Sequence, residues 1–454
     1  MTTRIMRGHV LDRLAELADD SVHCVVTSPP YWGLRDYKIP PQVWGGEPGC
    51  AHEFVTEEIA AYSSKGNWQQ AANGQQLATG RIQTRHAGDL NSAREKADST
   101  IIRGFCHCGA WRGSLGLEPA PALYIAHLVE IFREVRRVLR RDGTLWLNIG
   151  DSYATGAGKA NIAGGDMRVA WQGRTTQPNR MPLPGLKPKD LIGIPWMLAF
   201  ALRDDGWWLR SEITWAKRAP MPESVTDRPT MATEKVFLLT KASRYFYDAE
   251  AVKEDASENS HSHGQGNGEF KDYHDGRTGR HQAYQPPTRN MRNWWLLGPS
   301  PYPEAHFATF PPEVPRRAIL AGTSERGVCA HCGAPWARVV EKRDTGRKQK
   351  MADGWETGPG SHRTIHPMGR EAGATGVPVT ENITIGWRPT CRCTAEAPIA
   401  GTVLDPFLGS GTTALVADRL GRNCIGIELS PDYAAMARRR LEADAPLFLD
   451  MAAE

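Results

Sequence analysis

The sequence has little that would place the chain in a membrane, and little charge of one sign. No apolar run approaches the ~18 residues that a membrane helix needs, and the amino-terminal stretch MTTRIMRGHVLDRLAE has no apolar signal segment. The 55 basic and 51 acidic residues leave a formal net charge of +4, too weak to indicate nucleic acid by itself. We therefore expect a cytoplasmic protein without a membrane partner.

Glycine and proline, in contrast, are abundant. The 454 residues include 45 Gly and 32 Pro, whereas average usage of the two together is about 12%. Because 40% of the residues are hydrophobic, the chain can bury one large core or two ordinary ones. The composition excludes a wholly disordered chain and predicts a core interrupted by long loops.

Short apolar runs alternate with helical periodicity. Strands are predicted at 22–28, 144–150, 207–216, 235–240, 402–407 and 423–429. Helices are predicted at 120–141, where apolar residues recur at spacings of three and four, at 412–421, and from Ser430 onward. Such alternation favours an α/β fold with a mainly parallel sheet.

Four stretches interrupt the alternation: 52–104, 154–190, 254–305 and 333–390. They are rich in small and polar residues and poor in apolar periodicity, so we expect insertions with little core of their own. The segment from Arg316 to Lys350 contains nine Lys and Arg residues but only three Asp and Glu residues, which gives a local net charge of +6. This charge suits a phosphate-facing surface, and a solvated basic loop is the alternative.

Most of the nine cysteines fall in two clusters, which in a reducing cytosol indicate metal rather than disulfides. One cluster has the composition of a tetrahedral structural zinc site and consists of Cys329, Cys332, Cys391 and Cys393. The other offers Cys50, His52, Cys106 and Cys108, and His107 could replace one of these ligands. Reduced thiols in loops are the alternative. Neither zinc is expected to be catalytic, because a fully liganded zinc has no open position.

The peptide Ser28-Pro29-Pro30-Tyr31 follows the first predicted strand. Its two prolines remove backbone donors and stiffen the loop, which leaves carbonyls and the Ser28 hydroxyl as acceptors and Tyr31 as an aromatic platform. Such a loop could bind an exocyclic amine on a heteroaromatic ring and align its lone pair for attack. Taken alone, a proline-rich turn without function explains the peptide equally well.

A glycine-rich peptide, DPFLGSGTT at 405–413, lies where a predicted strand turns into a helix. It lacks both the lysine of a Walker loop and the GxGxxG dinucleotide spacing. Glu428 ends the next strand 23 residues after Asp405, where an acidic residue can hold ribose hydroxyls in a doubly wound fold. The combination predicts a site for an adenosine-containing cofactor.

These motifs resemble those of the DNA amino-methyltransferases, which use S-adenosylmethionine to methylate the exocyclic amine of cytosine or adenine. TSPPY resembles their catalytic motif, DPFLGSGTT their cofactor motif, and residues 221–241 the segment after the catalytic half. The resemblance implies a Rossmann-like α/β S-adenosylmethionine-dependent methyltransferase fold. It implies cofactor-binding roles for Asp405, Phe407, Gly409, Ser410, Gly411, Thr412 and Glu428, and for His306 and Phe307 over the methionine moiety.

The motif order, catalytic first and cofactor last, implies a circularly permuted fold and resembles the family's beta group. The catalytic half is then expected at 1–44 and 115–248, and the cofactor half at 306–326 and 397–454. Zinc-binding insertions are expected at 45–114 and 327–396. By the same resemblance, target recognition is expected between the halves at 249–305, with Trp294 and Trp295 among its residues; a surface insertion is the alternative.

The resemblance implies a site-specific bacterial or phage DNA methyltransferase that flips its target base and transfers the methyl group directly. Ser28, Pro29, Pro30 and Tyr31 would be catalytic. Serine before Pro-Pro-Tyr favours cytosine N-4, and adenine N-6 is the alternative; a zinc-containing DNA-binding protein with an inactive core is the alternative of another class. Double-stranded DNA is the expected partner, joined by a cognate restriction endonuclease if the enzyme belongs to such a pair, and the chain would act as a monomer or homodimer.

Overall fold

The structure, a computed structural model, describes part of the chain. The described residues are 2–34, 36–37, 39–60, 99–154, 187–256, 288–298, 300, 310–349, 377–394, 397–444 and 450–451. The chain forms two compact units. Unit 1 comprises Met1–Phe246, Asn293–Gly322 and Ala400–Glu454, and unit 2 comprises Tyr247–Arg292 and Thr323–Ile399. No helix in the described ranges has the length and apolar character needed to span a membrane.

The strands and helices are numbered in chain order. The strands are β1 (Thr2–Arg7), β2 (Val22–Thr27), β3 (Gln42–Trp44), β4 (Phe54–Ala60), β5 (Ser99–Cys106), β6 (Trp111–Gly113), β7 (Leu139–Ile149), β8 (Trp208–Lys217), β9 (Thr233–Thr240), β10 (Glu254–Asp255), β11 (Thr288–Arg289), β12 (Trp294–Leu297), β13 (Trp336–Gln349), β14 (Val377–Pro389), β15 (Thr402–Asp405), β16 (Asn423–Glu428) and β17 (Asp450–Met451). The helices are α1 (Val10–Ala15), α2 (Pro121–Val138), α3 (Ile194–Asp204), α4 (Glu313–Gly322), α5 (Thr412–Arg419) and α6 (Pro431–Asp444).

The largest sheet of the described chain lies in unit 1 and has nine strands in the order β12-β8-β9-β7-β2-β15-β16-β1-β17. Only β9 runs antiparallel to its neighbours, β7 and β8; the other neighbours pair in parallel. The prediction of a mainly parallel α/β sheet is therefore confirmed. Because β2 and β15 are parallel neighbours, the loops that leave their carboxyl ends meet at one edge of the sheet.

Helix α2 covers this sheet with its apolar stripe. Its fully buried residues include Tyr124, Leu128, Ile131 and Phe132, spaced by three, four or one as a helical face requires. The helix ends at Val138, three residues before the predicted end, because the chain is already extended at Leu139 and enters β7.

Strand β12 falls where an insertion is expected. β12 pairs in parallel with β8 at the edge of the nine-stranded sheet, and its Trp295 is fully buried and stacked on Trp146 at 6.3 Å between ring centroids. The predicted insertion therefore ends before Asn293, and Trp295 belongs to the core instead of being available to DNA. Residues 257–287, most of the predicted target-recognition segment, lie outside the described residues.

Both cysteine-containing insertions contain antiparallel strands. In unit 1, a four-stranded sheet has the order β3-β6-β5-β4. In unit 2, β13 and β14 pair from Trp336 opposite Pro389 to Gln349 opposite Val377. Stretches that were expected to be loops thus have local strand pairing, although they have few buried apolar residues among those described.

Candidate active site

The catalytic loop Ser28–Tyr31 continues directly from β2, in which five of six side chains are buried. Pro29 is buried, whereas Ser28 and Tyr31 are half-buried. The hydroxyl of Tyr124, a fully buried residue of α2, donates a hydrogen bond to the Pro30 carbonyl oxygen at 2.7 Å. This bond holds the loop from the core side and occupies the Pro30 carbonyl. Among the described residues, none donates to the Pro29 carbonyl oxygen, which remains available as an acceptor.

Tyr31 is fixed through its hydroxyl. That hydroxyl lies 2.7 Å from Glu234 Oε2 and 3.1 Å from Asn148 Oδ1, and it accepts a hydrogen bond from Ser28 Oγ at 3.1 Å. Lys217 Nζ lies 2.6 Å from Glu234 Oε1 and pairs with that carboxylate. Burial, followed by the Glu234 charge, raises the pKa of Tyr31 well above its usual value, so the phenol stays protonated and donates.

Gly150 lies against the ring of Tyr31. A Cβ added at this position would come within 2.6 Å of Tyr31 Cε2. Asn148, Gly150 and Glu234 were not identified from the sequence as site residues. Asn148 could have been found from the sequence, because it is an asparagine inside the apolar run TLWLNI. In the structure its side chain is 2% exposed, and a buried polar side chain needs hydrogen-bond partners.

Asp405 connects the catalytic and cofactor motifs. Its Oδ1 accepts hydrogen bonds from the Thr27 hydroxyl at 2.7 Å and the Phe407 amide at 3.0 Å, and its Oδ2 accepts one from the Thr413 hydroxyl at 2.7 Å. The residue is 1% exposed, and burial raises the pKa of its carboxyl to about 6 despite these hydrogen bonds. Asp405 therefore ties the end of β2 to the start of α5, with no exposed surface for a direct cofactor contact.

The two glycines of the cofactor loop have different surroundings. Gly409 has φ +54, and the nearest atom to an added Cβ is the Phe407 carbonyl oxygen at 3.9 Å, which leaves space for a ligand beside the backbone. Gly411 has φ +80, and an added Cβ would come within 2.9 Å of Ala437 Cβ on α6. The second glycine thus permits helix packing instead of ligand approach.

Ser410 and Thr412 face away from open space. Both are 3% exposed. Arg440 of α6 donates to the Ser410 carbonyl oxygen at 3.1 Å, to Ser410 Oγ at 3.2 Å and to Thr412 Oγ1 at 2.9 Å. These residues, predicted as cofactor contacts, hold the loop against α6.

Glu428 is placed as the sequence predicts, at the end of β16 beside the glycine-rich loop. Its Oε2 accepts the Gly409 amide and its Oε1 accepts the Ser430 amide, each at 2.8 Å. Burial raises the pKa of its carboxyl, and the two amide bonds oppose that shift. Each oxygen keeps a second lone pair that could accept a ribose hydroxyl. His306 and Phe307 lie outside the described residues.

Both predicted metal clusters are brought together. In each set of four side chains, the ligand atoms lie within 4.8 Å of one another. In the first cluster, Cys50 Sγ and Cys106 Sγ are 3.7 Å apart, and Cys108 Sγ is 3.4 Å from His52 Nδ1. Sulfurs that bind one tetrahedral zinc at about 2.3 Å lie about 3.8 Å from one another, so the spacing fits this ion.

The sheet that carries the first cluster packs against α2 near the catalytic loop. Trp44 of β3 and Trp111 of β6 enclose the His127 ring of α2, with centroid distances of 5.3 and 5.6 Å. His127 Nδ1 lies 3.0 Å from Glu118 Oε1, and the other oxygen of Glu118 accepts the Gly116 amide at 2.8 Å.

The segment around Gly116 in turn holds the catalytic loop. Gly116 accepts the amide of Gly33 at 2.8 Å, and Trp32 Nε1 donates to the Glu118 carbonyl oxygen at 2.9 Å. A chain of buried contacts therefore runs from the first cysteine cluster to the residues that follow Tyr31.

Comparisons with known proteins agree with this arrangement. The family model described as DNA methylase, for N-6 and N-4 methyltransferases, matches residues 22–330 and 394–439. Type II methyltransferase M.SmaI of Serratia marcescens is 31% identical over 96% of this chain and 90% of its own length, and M.Cfr9I of Citrobacter freundii is 30% identical over 97% and 88%.

Among solved structures, the cytosine-N4-specific PvuII DNA methyltransferase is 14% identical over 100% of this chain and 89% of its own, with a TM-score of 0.44. The family match and these two relatives confirm the family that the sequence motifs predicted. The chain belongs to the DNA methylase family of N-6 and N-4 methyltransferases, and it has the permuted α/β fold of S-adenosylmethionine-dependent enzymes.

Proposed function

We propose that this protein is a site-specific DNA methyltransferase that transfers a methyl group from S-adenosylmethionine to N-4 of cytosine in duplex DNA. The observation that carries the reaction is the 2.7 Å hydrogen bond between Thr27 and Asp405, which holds the catalytic and cofactor loops side by side. The target base follows from Ser28, because serine before Pro-Pro-Tyr resembles the cytosine enzymes. The Type II names of the relatives support a role beside a restriction endonuclease.

In this proposal the chain's own residues bind and orient the amine. The Pro29 carbonyl oxygen and Ser28 Oγ accept hydrogen bonds from the flipped cytosine amine, which localises its lone pair for in-line attack. Tyr31, fixed by Glu234 and Asn148, offers its ring as a stacking surface. Bound S-adenosylmethionine supplies the electrophilic methyl group. The methylated amine then releases one proton to water, and no covalent bond to the enzyme forms.

The cofactor would lie along the open side of the glycine-rich loop. Gly409 offers backbone space, Phe407 is half-buried beside it, and Glu428 has lone pairs for the ribose hydroxyls. His306 and Phe307 keep their predicted role over the methionine moiety. Asp405, Ser410, Gly411 and Thr412 would act indirectly, because their contacts shape the loop.

We also propose two structural zinc ions. Cys50, His52, Cys106 and Cys108 would hold the first, and Cys329, Cys332, Cys391 and Cys393 the second. Support comes from the convergence of four ligands in each set and from the 3.7 Å sulfur spacing in the first. Each ion would join the ends of an insertion whose described residues bury little apolar surface.

The target base is tested by mass spectrometry of nucleosides from DNA of cells that express the protein. We expect N-4 methylcytosine, which should be absent from cells that express the Tyr31→Ala variant. Exclusive N-6 methyladenine would reject cytosine as the target and leave the enzyme class intact. Absence of both bases, together with no calorimetric binding of S-adenosylmethionine, would favour a DNA-binding protein with an inactive core.

A further inference from the structure

Trp44, the last residue of β3, lies between two parts of unit 1. On one side its ring contacts that of His9, with 4.6 Å between the centroids. On the other side it stacks on the His127 ring of α2 at 5.3 Å. Its Nε1 donates to the Gly113 carbonyl oxygen of β6 at 3.1 Å, and the residue is 3% exposed. Because a close-packed interior offers so large a ring no second position, Trp44 holds both imidazoles in place.

His9 connects Trp44 to the candidate cofactor site. It follows β1 after one residue, and β1 pairs in parallel with β16 as far as Arg7 opposite Glu428. The amide of Gly8 donates to the Glu428 carbonyl oxygen at 3.1 Å. The residue before His9 is thus hydrogen-bonded to the acid that would hold the ribose, so a shift of the His9 ring would reach Glu428 through a single residue.

The first cysteine cluster holds Trp44 from the opposite direction. Cys106 ends β5 and Cys108 lies in the turn to β6, where the Cys106 amide donates to the Ala110 carbonyl oxygen at 2.8 Å. Gly46, just after β3, packs against this turn: an added Cβ would come within 2.6 Å of Ala110 Cβ and 3.0 Å of Cys108 Sγ. Binding the four ligand side chains to one ion would fix this turn against the end of β3.

We infer that Trp44 is a positioning residue for the cofactor site, through which zinc binding at the first cluster raises the affinity for S-adenosylmethionine. This role rests on the proposed function, because it takes Glu428 as the ribose-binding group. The contacts through Gly116 lead from the same cluster to the catalytic loop, whereas those through Trp44 and His9 lead to the cofactor strands β1 and β16. Coupling between two binding sites is reciprocal, so bound cofactor should also tighten zinc binding.

The test is calorimetric titration of the full chain with S-adenosylmethionine. Trp44→Leu should keep both zinc equivalents and weaken cofactor binding roughly 5-fold or more, the lower end of typical coupling between sites. Cys106→Ser, Cys108→Ser should weaken it by a similar factor. Adding Trp44→Leu to that double variant should have no further effect, because both changes act through one set of contacts. Trp44→Phe keeps an aromatic ring between the imidazoles and should restore most of the affinity.

Two controls separate this coupling from a general loss of packing. Trp295→Leu removes another fully buried ring of unit 1, which stacks on Trp146, and should leave cofactor affinity unchanged. Cys329→Ser, Cys332→Ser removes the second cluster and should also leave it unchanged. The calorimetric stoichiometry reports the folded fraction, so a variant that is merely less stable keeps the wild-type dissociation constant.

The reciprocal measurement needs no substitution along these contacts. In the Cys329→Ser, Cys332→Ser protein, which would hold zinc only at the first cluster, saturating S-adenosylmethionine should raise zinc affinity by a similar factor, measured by competition with a chelator. Wild-type cofactor affinity in Trp44→Leu, or zinc affinity that does not respond to the cofactor, would overturn the inference and leave the proposed function intact. A wild-type protein that binds no S-adenosylmethionine would contradict the proposed function, and the coupling with it.

Discussion

At the scale of single residues, the sequence predicted the groups that short motifs contain and missed those that come from other strands. Ser28, Tyr31, Asp405 and Glu428 lie at the edge of the sheet where the motifs predict them. Their partners could not be predicted, because the hydrogen bond from Tyr31 to Glu234 spans 203 positions of the chain. That glutamate reaches the site because β9 pairs with β7 up to Lys235, the residue next to it.

The first prediction at this scale concerns Glu428. Glu428→Ala should weaken S-adenosylmethionine binding by about 1.5–3 kcal/mol, the range for hydrogen bonds to a charged group. Isothermal calorimetry measures the change, with the exposed Glu442→Ala on α6 as the control. Glu428→Gln keeps one carbonyl oxygen for the Gly409 or Ser430 amide and should bind with intermediate affinity. Wild-type affinity in both Glu428 variants would reject the ribose role.

The second residue prediction concerns Gly150. Gly150→Ala places a methyl group within 2.6 Å of the Tyr31 ring, so the ring must move. A displacement of about 1 Å at a reacting centre can lower the rate roughly 10²-fold, and we expect such a decrease in kcat without a change in cofactor affinity. Gly298→Ala is the control, since nothing lies within 4 Å of its added Cβ. Equal kcat in the two variants would show that Tyr31 need not keep this position.

At the scale of elements, a regular spacing of apolar residues predicted a helix correctly, whereas the lack of such spacing did not mean that a segment was a loop. Helix α2 was predicted because its apolar residues form one stripe, whereas the short helices α1, α3 and α4 were missed. The ribbon β13–β14 was missed for a different reason: Trp336 pairs with Pro389, and no local pattern reveals a partner so distant along the chain. Its cysteines, in contrast, predicted correctly that its two ends meet.

The prediction at this scale is that purified protein contains about two equivalents of zinc. Cys329→Ser, Cys332→Ser should remove one equivalent and make the ribbon protease-sensitive, because ordering the strands then costs conformational entropy that local burial does not recover. Elemental analysis and limited proteolysis measure these changes, and the cofactor should still bind. The reciprocal variant Cys106→Ser, Cys108→Ser should lose the other equivalent and leave the ribbon protected. Full zinc content in the first variant would mean that other ligands hold the ion.

At the scale of the whole molecule, motif order predicted the permuted α/β fold. The parallel pairing of β2 with β15 explains how the catalytic and cofactor motifs come together although one lies early and the other late in the chain. The two motifs lie hundreds of residues apart, yet Thr27 and Asp405 meet because their strands are neighbours. The division into two units was less predictable. β12 returns to the large sheet from within a polar stretch, and its Trp295 is buried there.

Burial of Asp405 at the centre of unit 1 makes stability depend on pH. Its pKa is about 6 in the folded chain, against an ordinary value of 3.8. Between pH ~4 and ~6 the unfolded chain releases this proton while the folded chain keeps it, so the free energy of unfolding falls as pH rises. The change from 3.8 to about 6 corresponds to about 3 kcal/mol, and the loss is complete by pH ~7.

Asp405→Asn should remove this dependence. The amide oxygen can still accept from Thr27 and Phe407, and the Thr413 hydroxyl retains the Val26 carbonyl oxygen at 3.4 Å. Relative to wild type, the variant should therefore gain roughly 2–3 kcal/mol of unfolding free energy between pH 4 and pH 7, measured by urea denaturation at each pH. Asp204→Asn, whose side chain is 71% exposed, controls for the loss of a carboxylate. A constant difference between Asp405→Asn and wild type across this range would show that Asp405 is ionised throughout, and that its three hydrogen bonds outweigh its burial.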